Sequence, residues 1–190
     1  MVFLEKLINA SRRNNSLLCV GLDPDPRLMP LADSFAFNRA IVDATADLVC
    51  AFKPNLAFYE ALGRAGWSAL ERTIAHIPSN IPIIGDAKRG DIGNSAAGYA
   101  RALFDGLGVD AVTVNPYLGG DAVQPFLDYK EKGVFVLCRT SNPGAGDLQS
   151  LLVVGRSEGE RREQPKRLFE VVAMLAQEWN KAGNVGLVTG

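Results

Sequence analysis

The chain has 190 residues, a formal net charge of −1 and 47% apolar residues, which suits one domain, residues 1–190, with a sizeable core. It carries no basic run of the nucleic-acid-binding kind and no stretch of about 18 uninterrupted apolar residues, and Met1–Lys6 lacks the long apolar core and cleavage signature of a leader, so a cytoplasmic location without nucleic-acid or membrane partners is expected. Cys19, Cys50 and Cys138, odd in number and each in an apolar run, read as buried thiols, and the single His76, placed in a helix-like stretch, argues against a histidine-based triad or zinc site.

A leading helix is expected from Phe3 to Arg13, followed by a first buried strand, Leu17–Leu22, broken by Asp23-Pro24-Asp25-Pro26 so that Asp23 stands at its tip. From an Asp33 or Ser34 cap, Phe37, Ile41, Ala44 and Leu48 recur at helical spacing. Val49–Phe52 then forms a second strand ending in Lys53-Pro54-Asn55. Trp67, Leu70, Ile74 and Ile77 mark the next helix face, and the third strand, Ile81–Gly85, runs into Asp86-Ala87-Lys88-Arg89-Gly90-Asp91-Ile92. Side chains alternate along a strand, so Asp86 and Lys88 are expected on one side if the backbone stays extended, with Asp91 beyond on the turn. A buried lysine flanked by carboxylates stays an ammonium, able to stabilise an anion and then protonate it.

Tyr99, Leu103 and Leu107 give a further helix, ended near Gly106 and Gly108, and Ala111–Val114 a fourth strand ending in Asn115-Pro116-Tyr117. Val123, Phe126 and Leu127 precede a fifth strand, Val134–Cys138. From there to about Gln164 the chain is glycine-rich and charged, apart from Leu151–Val154, and reads as a mobile lid or covering loop; Arg161, Arg162, Lys166 and Arg167 are interleaved with Glu158, Glu160 and Glu163 as a solvated loop. A helix through Leu168, Val172, Leu175 and Trp179 leads to a sixth strand from Val185. Strands alternating with amphipathic helices imply a parallel sheet with chemistry at the strands' C-terminal ends, as in a (β/α)8 barrel of which about six units are present. An open doubly wound sheet is the alternative, disfavoured because no glycine-rich dinucleotide or Walker pattern follows the first strand.

Asp86-Ala87-Lys88-Arg89-Gly90-Asp91-Ile92-Gly93-Asn94-Ser95, with Phe52-Lys53-Pro54-Asn55 before it and Thr113-Val114-Asn115-Pro116-Tyr117-Leu118-Gly119 after it, resembles the orotidine 5′-phosphate decarboxylase family, in its bacterial long-loop branch. The resemblance covers essentially the whole chain. It implies a (β/α)8 TIM barrel, a homodimer with sites at the interface, and decarboxylation of orotidine 5′-monophosphate to uridine 5′-monophosphate without metal or organic cofactor. Lys88 would then protonate pyrimidine C6 beside Asp86, Lys53 and Asp23 would hold the ribose hydroxyls, and Asp91 would reach into the partner's site. Ile92, Ser95, Asn115 and Ser141 complete the expected substrate contacts, Ser95 standing where relatives usually carry threonine. The resemblance also implies two further βα units and a phosphate-gripping arginine beyond residue 190, so the chain is expected to be incomplete at its C-terminal side.

Other readings stay open on the residues alone. The D-x-K-x-x-D pattern is shared by magnesium-dependent sugar-phosphate decarboxylases and aldolases, which carry an acidic ligand where this chain has Lys53. A lysine Schiff-base aldolase and an inactive nucleotide-binding fragment are the remaining alternatives. Asp23 could simply start a turn, Lys53 be a solvated strand end, and Asn115 and Ser141 cap local backbone.

Overall fold

Helix and strand alternate as the apolar periodicities require, and a computed structural model of the chain describes residues 1–154 and 164–190. The Glu158–Glu163 cluster and part of the expected lid lie outside the described residues. In order come α1 (Phe3–Asn14), β1 (Cys19–Leu22), α2 (Ser34–Thr45), β2 (Ala51–Pro54), α3 (Leu56–Ala61), α4 (Gly63–His76), β3 (Ile84–Arg89) and α5 (Gly93–Arg101). Then follow β4 (Ala111–Val114), α6 (Gly120–Leu127), β5 (Gly133–Arg139), β6 (Leu152–Val153), β7 (Lys166–Arg167), α7 (Leu168–Trp179) and β8 (Val185–Thr189). Strand β1 pairs with β2, and β3, β4, β5 and β8 form a second parallel ladder in that order. Bridges Phe52↔Ile83 and Asn55↔Asp86 join the two, so six parallel strands succeed one another in space as they do in sequence.

Alternation along these strands sorts their side chains onto two faces. Phe52, Val112, Val114, Val134 and Val136 pack with helix residues Val42, Tyr59, Leu70, Leu103, Phe126 and Ala176 in the larger apolar core, between strands and helices. The residues in the opposite phase, Ala51, Ile84 and Ala111, join Cys19, Phe135 and α1 residues Phe3 and Leu7 in a second cluster. Helix α1 therefore closes the N-terminal end of the strand interior. Phe3 meets Phe135 edge to face at 5.8 Å, and Lys6 Nζ donates to Asp110 Oδ2 at 2.7 Å, an oxygen that also accepts the Ile83 N–H at 2.9 Å.

Gly133 makes that closure possible. A β-carbon there would stand 2.4 Å from Phe3 Cδ1 and 2.8 Å from the Ala111 β-carbon. Gly133→Ala is therefore expected to destabilise the protein by about 1–3 kcal/mol through overpacking. Its urea-unfolding midpoint should fall; an unchanged midpoint would show that α1 does not pack tightly here.

The element boundaries depart from the sequence patterns in instructive ways. Leu17 and Leu18 precede β1 and are exposed, Leu17 by 88%, because the register with β2 starts only at Cys19. Strand β2 runs on through Lys53 and Pro54, and β3 begins later and runs further than expected, to Arg89. Helix α3, unforeseen, starts at once from Asn55, whose side chain accepts the Ala57 N–H at 3.2 Å. Trp67 and Tyr99 lie on exposed helix faces, since the core side of α4 is Gly66, Ala69, Leu70 and Thr73 and that of α5 is Ala96 and Ala100; Trp179 does pack against the core. The expected helix through Leu107 ends as a π-helical turn at Ala102–Gly106. The described part of the lid is stitched down: Gln149 accepts the Thr140 N–H at 2.8 Å and donates to its hydroxyl at 2.7 Å, and β6 pairs antiparallel with β7.

Candidate active site

The interior face of the strands is apolar near α1 and becomes charged toward the strands' C-terminal ends. Lys53 stands in phase with Ala51, Asp86 with Ile84 and Thr113 with Ala111, so each strand carries its polar residue one layer above its apolar one. Asp86, 7% exposed, is the centre. Its Oδ1 accepts from Lys88 Nζ at 2.7 Å and from the Thr113 hydroxyl at 2.8 Å. Its Oδ2 accepts from Lys88 Nζ at 2.8 Å and from Lys53 Nζ at 3.2 Å. Burial pushes the Asp86 carboxyl up, but the hydrogen bonds from Lys88 and Thr113, with the nearby positive charge of Lys53, hold it below its ordinary value.

Lys88 differs from expectation. Its side chain is 48% exposed rather than buried, and its backbone has left the extended region, with φ at 48°. The left-handed conformation is rare without glycine and is a form of strain that concentrates at functional sites. Despite the turn, the Lys88 ammonium still reaches Asp86, because the bent backbone curls the side chain over the carboxylate. The two ammoniums sharing one carboxylate give the trio a net positive charge, open to solvent on the Lys88 side.

Asp23, at the exposed end of β1, belongs to the same electrostatic group. Partial burial, with the charge of Asp86 adding to it, holds its carboxyl above its ordinary value, against the opposing pull of Lys53, the Asn55 N–H and Lys88. Its position is braced from beneath by a buried chain: Tyr59 donates to the Leu22 carbonyl at 2.8 Å, and Asn38 donates to Tyr59 Oη at 2.9 Å and to Thr73 Oγ1 at 3.0 Å. The loop beyond is pinned by Asp25, whose carboxyl the Arg27 guanidinium draws down to about 2.

The other expected site residues are arranged differently. Asp91 is half-buried on the turn after β3 and accepts the Ile92 N–H at 2.8 Å; among the described residues it makes no hydrogen bond to the lysines. Ile92 and Ser95 are exposed, the Ser95 N–H donating to the Ile92 carbonyl at 3.2 Å. Asn115 Oδ1 accepts the Tyr117 N–H at 3.0 Å, so its side chain does cap the turn. The turn after β3 passes so close that a β-carbon on Gly90 would stand 3.0 Å from the Asn115 carbonyl oxygen. Ser141 is exposed beyond β5, near Gly190 at the end of β8. Cys19 is in the strand interior, and burial, partly offset by Lys53, pushes its thiol up to about 11, so it is not a nucleophile at neutral pH. His76 pairs with Asp43 at 2.6 Å on the surface, and among the described residues neither makes a hydrogen bond to the Asp86 cluster.

Sequence reasoning missed Thr113 and Tyr59. The signal for Thr113 was present: in Ala111-Val112-Thr113-Val114 it is the polar residue in the same phase as Asn115. Nothing local marked Tyr59, whose hydroxyl finds its partner 37 residues away.

Residues 16–190 match the family described as "Orotidine 5′-phosphate decarboxylase / HUMPS family". The chain is 54% identical over 191 residues to an orotidine 5′-phosphate decarboxylase of Dehalococcoides mccartyi, covering 100% of this chain and 68% of that protein. With the orotidine 5′-phosphate decarboxylase of Roseiflexus sp. the identity is 55% over 197 residues, covering 100% and 69%. Among solved structures, OMP decarboxylase of Leishmania donovani superposes with a TM-score of 0.86 at 42% identity, over 100% of this chain and 71% of that one.

Proposed function

The chain belongs to the orotidine 5′-phosphate decarboxylase / HUMPS family, and from that premise we infer a carboxy-lyase that converts orotidine 5′-monophosphate to uridine 5′-monophosphate on a (β/α)8-barrel scaffold. The observation that carries the chemistry is the convergence of Lys53 and Lys88 on one buried carboxylate, Asp86.

Breaking the bond between C6 and its carboxylate leaves the electron pair on C6, in the plane of the pyrimidine ring, where the ring's π-system cannot accept it. Electrostatic stabilisation is the remaining resource. Lys88 presents an ammonium to that carbon; as CO₂ departs, a proton passes from Nζ to C6, and the neutral amine regains one from water, to which the half-exposed side chain has access. Asp86 is no proton source, because its donors hold it ionised. It orients Lys88 and keeps the two ammoniums together. One ammonium about 4 Å from an anion contributes about 4 kcal/mol at an effective dielectric near 20, against roughly 8–23 kcal/mol for efficient enzymes. Binding energy from the remote ribose phosphate supplies the rest. In this reading Lys53 and Asp23 hold ribose hydroxyls, with Ser95, Asn115 and Ser141 as further substrate contacts. Lys53 also stands where the magnesium-dependent relatives carry an acidic ligand, which favours the decarboxylation of a nucleotide.

The protein acts as a homodimer in this reading. Among the described residues Asp91 makes no hydrogen bond or ion pair to its own lysines, while Ile92, Tyr117 and Leu118 are exposed on the neighbouring loops, a surface suited to a second copy carrying Asp91 into its partner's site. The free thiols among the described residues and a soluble nucleotide substrate fit the cytoplasm; no described helix is long and apolar enough to cross a membrane. The test is incubation of the full-length protein with orotidine 5′-monophosphate, where equimolar uridine 5′-monophosphate and CO₂ are expected; an unchanged substrate would overturn the reading.

A further inference from the structure

The ladder between β3 and β4 is irregular at the point where the chemistry sits. Gly85 pairs with Val112 and Arg89 with Val114, so β3 spends four residue steps where β4 spends two. Asp86, Ala87 and Lys88 fill the bulge, and the Lys88 N–H loses the backbone acceptor that a regular ladder would offer. Thr113, between Val112 and Val114, stands opposite this gap and is 3% exposed. Its Oγ1 accepts the Lys88 N–H at 2.9 Å and its hydroxyl hydrogen goes to Asp86 Oδ1 at 2.8 Å. A single hydroxyl thus replaces the missing ladder bond and fixes the carboxylate.

We propose that Thr113 is a positioning residue for the decarboxylation: it holds the left-handed backbone of Lys88 and the carboxylate of Asp86 in one geometry, so that the Lys88 ammonium is aimed at the reacting carbon. The inference rests on the reading of Lys88 and Asp86 given above. Valine in this place keeps the branched shape and removes both hydrogen bonds; serine keeps both and removes only a methyl group. No group in direct contact with the nucleotide is altered by either change.

The experiment compares wild type, Thr113→Val and Thr113→Ser in the full-length protein, by steady-state kinetics and by carbon-13 NMR titration of the Asp86 carboxyl. Thr113→Val is expected to lower kcat by about ten- to a hundred-fold, the range for partners that orient a reacting group, with KM changed by less than about three-fold. Thr113→Ser should stay within about three-fold of wild type in both. The Asp86 carboxyl should titrate at higher pH in Thr113→Val, which has lost a donor to it, and at its wild-type position in Thr113→Ser. An unchanged kcat in Thr113→Val, or equal losses in the valine and serine variants, would overturn the proposal, since the methyl group rather than the hydroxyl would then matter. If the wild type itself fails to turn over the nucleotide, the functional reading falls, and the NMR titration still decides on Thr113: no shift of Asp86 in the valine variant overturns its positioning role.

Discussion

Replacing Lys88 with alanine is expected to abolish turnover, lowering kcat by about 10⁴-fold or more, because one side chain supplies both the charge facing the carbanion and the proton that quenches it. General acid catalysis alone is worth about 10²–10⁴-fold. Stability should change little. The Lys88 side chain is half-exposed, and ion pairs so open to water contribute about 0–1 kcal/mol. Asp86 also keeps Lys53 and Thr113 as partners when Lys88 is gone. Lys88→Arg separates the two roles. It keeps a cation near the site, but a guanidinium does not release its proton at neutral pH, so it should be nearly as inactive as the alanine variant. Measurement of product formation against unfolding midpoint decides: a variant retaining a tenth of the wild-type rate would refute the assigned role.

The alternation of strands and helices was legible because burial on two faces forces apolar runs of strand length between amphipathic stretches, and β4, β5, α6 and α7 fall where those patterns put them. Of the two cap candidates, Asp33 and Ser34, it is Asp33 that caps, its side chain accepting the Ala36 N–H three residues on. What was not legible depends on partners distant in sequence. Leu17 and Leu18 have the composition of a strand, yet they lie outside the register that β2 imposes. The expected end of β3 at Gly85 was a propensity judgement; the ladder with β4 carries the strand on to Arg89 and bends Lys88 into the left-handed region. Lys88 is expected buried between carboxylates, but the bulge leaves its side chain half-exposed. The pairing of Leu152–Val153 with Lys166–Arg167 crosses the loop and has no local signature. For the site, the residue types of Lys53, Asp86 and Lys88 pointed to their chemistry, and the phase of Thr113 marked its hydroxyl, whereas its partners, the Lys88 N–H and the Asp86 carboxylate, lie 25 and 27 residues away on another strand.

Asp86→Asn should have the second-largest effect. The amide preserves the shape of the carboxylate but presents one N–H₂ group to ammoniums that need an acceptor, so Lys53 and Lys88 lose their shared counter-charge and repel. Loss of a preorganised electrostatic partner of this kind costs about 10²–10³ in kcat. Near-wild-type kcat would show that Lys88 finds its position without the charge. Stability adds an independent reading. The folded-state pKa of Asp86 is depressed, so its contribution is fully present above the unfolded carboxyl value, about 3.9, and is lost as pH falls through the lower folded value. Asparagine has nothing to titrate there. The stability gap between wild type and Asp86→Asn, measured by urea unfolding, should therefore be widest near neutral pH and narrow as pH falls below about 4. A gap that stays constant down to acid pH would mean that shape alone, without ionisation, holds the two lysines together.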